Sequence, residues 1–437
     1  MALLAAPHLA GRCYGVFGLA RSGLATLGFL ARSGAHVLAW DDREAAREEA
    51  KALHPGVALA DPMAMSLEGL AGLVVSPGVP LNTHPLAARA RAAGVPLIGD
   101  IELFQEARAH LPAHQLVGIT GTNGKSTCTA LIHHLLVRAG RVALLGGNIG
   151  NPILGEAALA QGGTYVLELS SFQIDLCQRL ACDVAVLLNV TPDHLDRYAS
   201  MQAYAAAKAR LFAMQKDGAH AVIAAEDRYT CCIASALAPR LRLVRVATGD
   251  AAPMPRAPAL AGPHNAQNAA AAIAVARILG LSDAEIAAGL QSYPGLPHRM
   301  ELVAEIGGVT FVNDSKATNA ESAAPALAAF PSIHWIAGGQ AKTDHLDPCL
   351  PHLSHVKRAW LIGEAAPLFA RLLAPHVPVT QAGTLEAAVA GAASAAVAGD
   401  AVLLSPACAS FDQFANFEAR GDAFRAAVAR LTETAHA

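Results

Sequence analysis

Short runs rich in leucine and β-branched residues alternate along the whole chain with longer, alanine-rich amphipathic stretches. Such alternation is typical of βαβ units, in which helices cover the faces of a parallel sheet. At 437 residues the chain is also longer than one hydrophobic core normally supports. The sequence therefore predicts an α/β protein with several sheets, each in its own domain.

Segments rich in proline and glycine divide the chain into three predicted domains. We expect a Rossmann-like N-terminal domain, a central parallel-sheet domain of the P-loop ATPase type and a Rossmann-like C-terminal domain, with bounds 1–112, 113–297 and 298–437. The linker before the third domain is the segment "YPGLPHR" at 293–299. The third domain opens with a predicted hairpin, because Gly307 and Gly308 can supply the positive φ angles of a two-residue turn.

Composition excludes several classes of protein. The 53% hydrophobic and 15% charged residues favour a well-packed globular enzyme over a disordered chain. The formal net charge of -3 offers no electrostatic case for a nucleic-acid partner. Its 8 cysteines include no C-x-x-C pair, so they read as reduced thiols of an intracellular protein. No apolar run is long enough to span a bilayer and the N-terminus lacks a basic leader segment. We expect a cytoplasmic protein without membrane insertion.

The strongest motif is the run "GITGTNGKST", which lies between a predicted strand and a predicted helix. Gly121 and Gly124 let the main chain approach phosphate oxygens, and Lys125 adds a full positive charge at the helix N-terminus. The hydroxyl of Ser126 or Thr127 is placed to hold Mg²⁺. Ile119 replaces the first glycine of the usual P-loop pattern. The alternative is a glycine-rich turn without a ligand. The residues predicted to hold nucleotide phosphates are Gly121, Thr122, Asn123, Gly124, Lys125, Ser126 and Thr127.

Three further polar residues follow buried segments of the central domain. Glu168 is the only charge in the predicted strand 164–168 and stands at its carboxyl end, where a parallel sheet binds its ligands. His194 lies in the loop after the next strand, and Lys208 is the first basic residue of an alanine-rich helix. Taken singly, His194 and Lys208 are better explained as a loop histidine and a solvated helix lysine. Glu168 alone could be a hydrogen-bonded strand-end glutamate, but its pairing with the phosphate loop favours a metal ligand.

The N-terminal domain carries weaker signals of a nucleotide. The segment "GLARSG" at 18–23 keeps only the outer glycines of a dinucleotide fingerprint and has Ala20 between them. Asp41 and Asp42 end the next predicted strand, where a carboxylate could bind a ribose or a base edge. A second glycine turn, "SPGV" at 76–79, closes another strand on the same edge.

Three loops of the third domain, residues 311–319, 336–342 and 403–417, each follow a predicted strand. They gather lysines, glycines and small hydroxyl residues at what should be one end of a sheet. We expect them to form a pocket for a small ligand.

The motifs together resemble the Mur ligase family of peptidoglycan synthesis over nearly the whole chain. The runs that carry the resemblance include "GTNGKST", "ELSSFQ", "NVTPDHLDRY", "YAAAKARLF", "HNAQNAAAA", "GLPHRME", "NDSKATN" and "SPACASFDQFANFEARG". The first fits all Mur ligases and also folylpolyglutamate synthase. The run "NDSKATN" and the C-terminal serine-proline run are more particular to the family member that adds D-glutamate to UDP-N-acetylmuramoyl-L-alanine.

The resemblance implies an ATP-dependent amide ligase with a Mg²⁺ site and an acyl-phosphate intermediate. It implies that Ser126 and Glu168 hold one Mg²⁺, and that His194 and a carbamylated Lys208 hold a second. A carbamate gives lysine the anionic oxygens that Mg²⁺ prefers. Further ATP contacts are implied for Asn265, Asn268, Arg299 and Asp314.

The same resemblance implies the substrate contacts of the enzyme, which we expect to be a monomer. The residues matched to the UDP-sugar are Ala20, Arg21, Ser22, Asp41, Asp42, Arg43, Ser76, Pro77, Gly78, Asn148 and Ser170. Those matched to glutamate are Lys316, Thr318, Lys342, Ser410, Phe411 and Phe417. Gln340 and Phe411 stand where the family member that adds D-glutamate has Asp and Leu. A related ligase that adds L-glutamate or another amino acid therefore stays open, as does a P-loop regulatory module of a different class.

Overall fold

The computed structural model of the chain describes residues 3–237, 239–251, 258–260 and 263–435. These residues pack as two compact units. The first takes in the described residues of Met1–Pro255 and Asn265–Gln291, and the second those of Arg256–His264 and Ser292–Ala437. Within the described ranges, every helix is too short or too polar to cross a bilayer.

The first sheet belongs to the N-terminal domain and is parallel throughout, with strand order β3-β2-β1-β4-β5. Its strands are β1 (Cys13–Phe17), β2 (His36–Trp40), β3 (Ala58–Leu59), β4 (Gly72–Val75) and β5 (Leu97–Ile98). The helices are α1 (Arg21–Arg32), α2 (Glu44–Leu53), α3 (Leu86–Ala92) and α4 (Asp100–Ala107). The strand order reverses between β1 and β4, which is the point where Rossmann-like sheets bind their ligands.

The second sheet is also parallel throughout, in the order β11-β10-β9-β6-β8-β7. Its strands are β6 (Gln115–Thr120), β7 (Ala143–Gly147), β8 (Thr164–Glu168), β9 (Val184–Leu187), β10 (His220–Ala224) and β11 (Arg242–Val246). The helices are α5 (Lys125–Arg138), α6 (Ser171–Asp175), α7 (Met201–Ala213), α8 (Arg228–Ala236), α9 (Pro263–Ile278) and α10 (Asp283–Gln291). Strands β8 and β9 are buried along their whole length, as expected for a parallel sheet covered by helices on both faces.

The third sheet forms the C-terminal domain, in the order β12-β13-β17-β14-β15-β16. Its strands are β12 (Glu301–Ile306), β13 (Val309–Asn313), β14 (Ile333–Gly338), β15 (Val356–Ile362), β16 (Val379–Gly383) and β17 (Ala401–Leu404). The helices are α11 (Ala320–Leu327), α12 (Ala366–Leu373), α13 (Leu385–Ala395) and α14 (Phe417–Ala435). The pair β12 and β13 is antiparallel. Gly307 and Gly308 turn between them at φ 58° and 77°, so the predicted hairpin is confirmed.

Six short 3₁₀ helices complete the described elements, at Pro7–Leu9, Arg108–His110, Ile153–Gly155, Thr248–Ala251, Pro258–Leu260 and Asp347–His355. One continuous core joins the first two sheets, since Phe104 of α4 meets the ring of Tyr165 of β8 edge-on at 5.0 Å. That shared core explains why two domains form a single compact unit. In the third domain separate apolar layers cover the two faces of the sheet.

Candidate active site

The phosphate loop is a strand-to-helix turn, as the sequence predicts. Strand β6 ends at Thr120 and helix α5 begins at Lys125. Gly124 has a left-handed φ of 82°, and a Cβ on it would lie 2.2 Å from Oδ1 of Asn268 on α9. Asn268 in turn donates to Oδ1 of Asn265 at 3.3 Å. The structure therefore places Asn268 against the loop, with Asn265, the other α9 residue predicted to contact ATP, hydrogen-bonded to it.

Asn189, which sequence reasoning missed, holds this loop in place. Its main-chain carbonyl accepts from the N–H of Thr122 at 2.8 Å, and its Oδ1 accepts from the N–H of Asn123 at 2.8 Å. Its Nδ2 donates to the carbonyl of Asn123 at 3.2 Å and to Oε1 of Gln267 on α9 at 3.1 Å. Two of the N–H groups predicted to face phosphate thus bond to Asn189. The available signal was its position at the start of the run "NVTPDHLDRY".

Two lysine side chains converge behind the loop. Nζ of Lys125 donates to the carbonyls of Gly121 at 3.0 Å and Thr122 at 2.7 Å. Nζ of Lys208 donates to the same carbonyl of Gly121 at 2.9 Å and lies 4.4 Å above the ring of Tyr204. Lys208 is only 1% exposed, so it is no solvated helix charge. Burial, followed by the charge of Lys125, holds the pKa of Lys208 well below its usual value.

Glu168 ends strand β8 beside this pair and is 2% exposed. Its Oε1 accepts a hydrogen bond from Nδ2 of Asn148 at 2.7 Å. Its Oε2 is buried and has no hydrogen-bond partner among the described residues. An unpaired buried carboxylate oxygen is costly unless a ligand satisfies it, and carboxylate oxygen is what Mg²⁺ binds. Asn148, matched from sequence to the sugar substrate, here orients Glu168.

His194 and Ser126 complete the predicted metal ligands. His194 has a left-handed φ of 55°, and its Nε2 lies 3.4 Å from Oδ2 of Asp193. Burial lowers the pKa of His194, Asp193 raises it, and Lys208 and Lys125 lower it further. The net lowering favours the neutral imidazole that binds metals. Ser126 is buried in the first turn of α5.

The residues fit Mg²⁺ only together with further oxygen donors. Among the described residues, no group of three histidine, cysteine, aspartate or glutamate side chains could hold a metal by itself. The orphaned oxygen of Glu168 and the hydroxyl of Ser126 suit a hard cation beside nucleotide phosphates. Ser170 lies at the same sheet edge, where its hydroxyl caps α6 by accepting from the N–H of Gln173 at 3.2 Å.

The structure also brings together the residues predicted to bind the UDP group. The N–H of Leu19 donates to Oδ2 of Asp41 at 2.7 Å, and Nε of Arg43 donates to Oδ1 at 3.1 Å. A Cβ on Gly18 would lie 2.6 Å from Cβ of Ser76, so the loops that follow β1 and β4 touch. Burial alone would raise the pKa of Asp41, but the hydrogen bonds from Arg43 and Leu19 outweigh it and lower the pKa. An anionic group therefore lies at the switch point of the first sheet.

The residues matched to this substrate occupy three loops there. Ala20, Arg21 and Ser22 open α1, Asp42 lies between Asp41 and Arg43, and Pro77 and Gly78 follow Ser76. Nη2 of Arg21 donates to the carbonyl of Gly150 at 3.0 Å, so this side chain reaches from α1 to the central domain.

In the third domain the three predicted loops meet at one sheet edge. Nζ of Lys342 donates to Oγ1 of Thr318 at 3.3 Å, and Nζ of Lys316 lies 3.7 Å from the ring centroid of Phe417. Reciprocal main-chain bonds of 2.9 Å join Gln340 to Ala409. Ser410 is buried, whereas Phe411 is 70% exposed. The cluster combines two cations, hydroxyls and aromatic rings, which suits an amino acid with a carboxylate side chain.

Arg420 is a second residue that the sequence did not reveal. Its guanidinium is 1% exposed and donates to the carbonyls of Ser315 at 2.8 Å, Cys408 at 3.0 Å and Ala409 at 3.2 Å. It therefore fixes the loop after β13 against the loop after β17. The only signal is a charged residue in the run "FEARG", which resembles an ordinary helix surface.

Asp314, matched to ATP, is buried at the end of β13. It accepts from Oγ of Ser405 at 2.8 Å and from the N–H of Met300 at 3.2 Å. Burial raises the pKa of Asp314 to about 7, and its hydrogen bonds and the charge of Arg299 only partly oppose this. Asp314 therefore titrates near neutrality.

A phosphate loop and a buried strand-end carboxylate at the edge of a parallel sheet define a class of nucleotide-binding α/β enzyme. Three family descriptions match successive parts of the chain: "Mur ligase MurD-like, N-terminal domain" at residues 13–99, "Mur ligase middle domain" at 119–256 and "Mur ligase, glutamate ligase domain" at 298–408. The chain belongs to the Mur ligase family.

Two curated relatives with high sequence identity carry the same protein name. The UDP-N-acetylmuramoylalanine--D-glutamate ligase of Sphingopyxis alaskensis is 60% identical over 97% of this chain and 98% of its own length. The enzyme of the same name from Novosphingobium aromaticivorans is 57% identical over 97% and 96%. Among solved structures, the MurF ligase of Thermotoga maritima in complex with ADP aligns with a TM-score of 0.62 at 16% identity, over 98% of each chain. At that identity the alignment shows the fold alone.

Proposed function

We propose that this chain is an ATP-dependent ligase that joins D-glutamate to the alanine carboxylate of UDP-N-acetylmuramoyl-L-alanine, a step of peptidoglycan synthesis. The observation that carries the proposal is the arrangement behind the phosphate loop. There Lys125 and Lys208 share one carbonyl, that of Gly121, and the orphaned oxygen of Glu168 lies at the end of the adjacent strand. Such a site suits a triphosphate and its metal.

The identity of the substrates rests on two supports. The relatives at 60% and 57% identity carry the name of the D-glutamate ligase over nearly their whole lengths. The pocket of the third domain places Lys342 against Thr318 and Lys316 over Phe417, where cations can receive the carboxylates of glutamate.

The chemistry follows from the poor reactivity of a carboxylate as an acyl donor. The alanine carboxylate attacks the γ-phosphate of ATP, ADP leaves, and the resulting acyl phosphate is attacked by the glutamate amine with loss of inorganic phosphate. Both reactants of the first step are anionic, so Lys125 would offset their repulsion and the phosphate loop, held by Asn189, would fix the geometry. Asn148 would keep the carboxylate of Glu168 oriented.

Bound Mg²⁺ would supply charge neutralisation at the phosphates. Ser126 and Glu168 would hold one ion, and His194 and Lys208 a second. As an ammonium group, Lys208 would repel a cation. Its burial and the nearby Lys125 favour the neutral amine, which can add CO₂ and release a proton to give an anionic carbamate. The carbamate would pair with Lys125 and offer oxygen ligands.

The protein is proposed to act in the cytoplasm as a monomer. Every cysteine is unpaired in the structure, which suits a reducing compartment. We also propose domain bounds of 1–112, 113–297 and 298–437. Sedimentation of the purified protein tests the oligomeric state, and expression of the segment 298–437 tests whether the third domain folds by itself.

The test of the function is a panel of D- and L-amino acids with ATP and UDP-N-acetylmuramoyl-L-alanine, read by product mass and chirality. The proposal requires a D-glutamyl product and phosphate release that depends on both co-substrates. An L-glutamyl product would establish the related ligase, in line with Gln340 and Phe411. Slow ATP hydrolysis whose rate depends on neither co-substrate would establish a regulatory P-loop module instead.

A further inference from the structure

Two loops of the first unit are joined by a reciprocal pair of hydrogen bonds. We call residues 76–82, which follow β4, the substrate loop, and residues 192–198, which precede α7, the metal loop. Nη2 of Arg197 donates to the carbonyl of Val79 at 2.9 Å, and Nδ2 of Asn82 donates to the carbonyl of Asp196 at 3.1 Å. Because each loop donates one bond and accepts the other, the pair fixes their relative register.

Within the metal loop, Arg197 fixes the position of His194. The N–H of Arg197 donates to the carbonyl of His194 at 3.0 Å, which closes the turn of the metal loop. The guanidinium carbon of Arg197 lies 4.2 Å from the ring centroid of Phe172, and the same ring lies 4.8 Å from the ring of His194. His194 has a left-handed φ of 55°, a conformation that a non-glycine residue keeps only when its surroundings impose it.

Within the substrate loop, Val79 closes the turn that is matched to the UDP-sugar. The N–H of Val79 donates to the carbonyl of Ser76 at 3.0 Å, so a displacement of Val79 displaces Ser76, Pro77 and Gly78 with it. A cavity of about 200 Å³, lined by Val79, Phe172 and Arg197 among others, lies beside the two hydrogen bonds that join the loops. The two hydrogen bonds therefore join the loops beside a space that side chains do not fill.

We propose that Arg197 is a positioning residue that couples occupation of the substrate loop to the placement of His194 in the metal loop. This inference rests on the proposed function, because it assigns the UDP-sugar to one loop and Mg²⁺ to the other. The sugar nucleotide would order Val79, Val79 would order the guanidinium, and the guanidinium would hold Phe172 and His194. Linkage requires the reverse effect as well: Mg²⁺ would tighten binding of the sugar nucleotide.

Calorimetric binding of UDP-N-acetylmuramoyl-L-alanine to the full chain, with and without Mg²⁺, tests the coupling without turnover. Arg197→Met should weaken binding by roughly 10-fold, the scale for one lost charged hydrogen bond, and should remove most of the tightening by Mg²⁺. Arg197→Lys can still donate to the carbonyl of Val79, but it has no guanidinium group to place over the ring of Phe172. It should therefore restore binding while leaving the Mg²⁺ effect reduced.

Arg32→Met is the matched control. Arg32 also donates to two main-chain carbonyls, that of Leu4 in its own domain at 3.2 Å and that of Leu154 in the central domain at 2.9 Å, but touches neither loop. It should lower the melting temperature and leave both binding measurements unchanged. Asn82→Ala removes only the exposed reciprocal bond, so it should fold normally and shift binding in the same direction as Arg197→Met by a smaller factor.

Binding by Arg197→Met within about twofold of wild type, or an equal loss in Arg32→Met, would overturn the coupling. A wild-type chain that fails to bind the sugar nucleotide at all would instead overturn the proposed function.

Discussion

Lys125 and Lys208 donate to the same main-chain oxygen, that of Gly121, at 3.0 and 2.9 Å. Two ammonium groups so close together repel each other, and Lys208 is also removed from water. The arrangement favours a neutral or anionic form of Lys208. A carbamate would turn this repulsion into attraction and would explain why a lysine is buried beside a phosphate loop.

Lys208→Ala should therefore be nearly inactive yet partly recoverable with acetate, because the missing group is an anionic oxygen ligand. The measurement is ligase turnover with increasing sodium acetate, with sodium chloride at equal ionic strength as the salt control. Lys216→Ala, an exposed lysine just after α7, should keep full activity without acetate. Absence of rescue, together with a crystal structure of the wild-type chain that shows a free amine on Lys208, would count against the carbamate.

Removal of Lys125 or Glu168, the two charged residues proposed to act at the triphosphate, should lower turnover. We expect Lys125→Ala and Glu168→Ala each to reduce kcat by at least about 10²–10³, the scale for one preorganised charge contact. Glu168→Gln should be equally inactive but more stable than wild type without Mg²⁺, because it replaces a buried carboxylate that has one unpaired oxygen with a neutral amide. Calorimetric melting measures the gain in stability separately from the loss of turnover. Glu305→Gln, at an exposed glutamate, serves as the control. Near-normal turnover in the Glu168 variants would remove this residue from the site.

Gly124→Ala should damage ATP binding through two defects. The left-handed φ of 82° costs about 1–2 kcal/mol for alanine, and the new methyl group would meet Asn268 at 2.2 Å. A loop displaced by about 1 Å lowers kcat/KM for ATP by roughly 10²-fold. Gly140→Ala is the control, because Gly140 ends the same helix at φ 72° with nothing within 4 Å of its Cβ. It should show a similar loss of stability and unchanged kinetics. Equal kinetics in both variants would contradict the proposed role of Asn268.

Asp314 should make the stability of the chain depend on pH near neutrality. Its folded pKa of about 7 lies above the usual 3.8, so the folded state holds a proton that the unfolded state releases. The stabilisation is therefore complete below pH 3.8 and is lost as the pH rises through about 7. Asp314→Asn imitates the protonated form and can keep both hydrogen bonds, since the hydroxyl of Ser405 can rotate. Relative to this variant, wild type should lose about 1 kcal/mol per pH unit between about pH 5 and 7 in urea unfolding. Parallel curves would show that Asp314 stays ionised.

The sequence predicted those parts of the protein that depend on local periodicity and backbone chemistry. Alternating apolar runs predicted parallel sheets, Gly307 and Gly308 predicted the hairpin, and Glu168 was placed at its strand end. The contacts of Asn189 and Arg420 were not predictable in this way. Each bonds to main-chain groups far away in the sequence, with separations of 66 residues for Asn189 to Asn123 and 105 for Arg420 to Ser315. A side chain that braces a distant loop leaves no periodic pattern.

The burial of Lys208 shows the same limit. An isolated lysine on an alanine-rich helix has the pattern of a solvated charge, and the resemblance to a family was needed to single it out. Only the packing of α7 against the phosphate loop shows that its ammonium group is enclosed.

Isotope transfer tests the central claim most directly, namely that the enzyme activates a carboxylate by phosphorylation. UDP-N-acetylmuramoyl-L-alanine carrying ¹⁸O in its terminal carboxylate is incubated with ATP, Mg²⁺ and D-glutamate, and the released phosphate is analysed by mass spectrometry. The account predicts one ¹⁸O atom in each inorganic phosphate formed with the amide. Unlabelled phosphate accompanied by amide formation would contradict it.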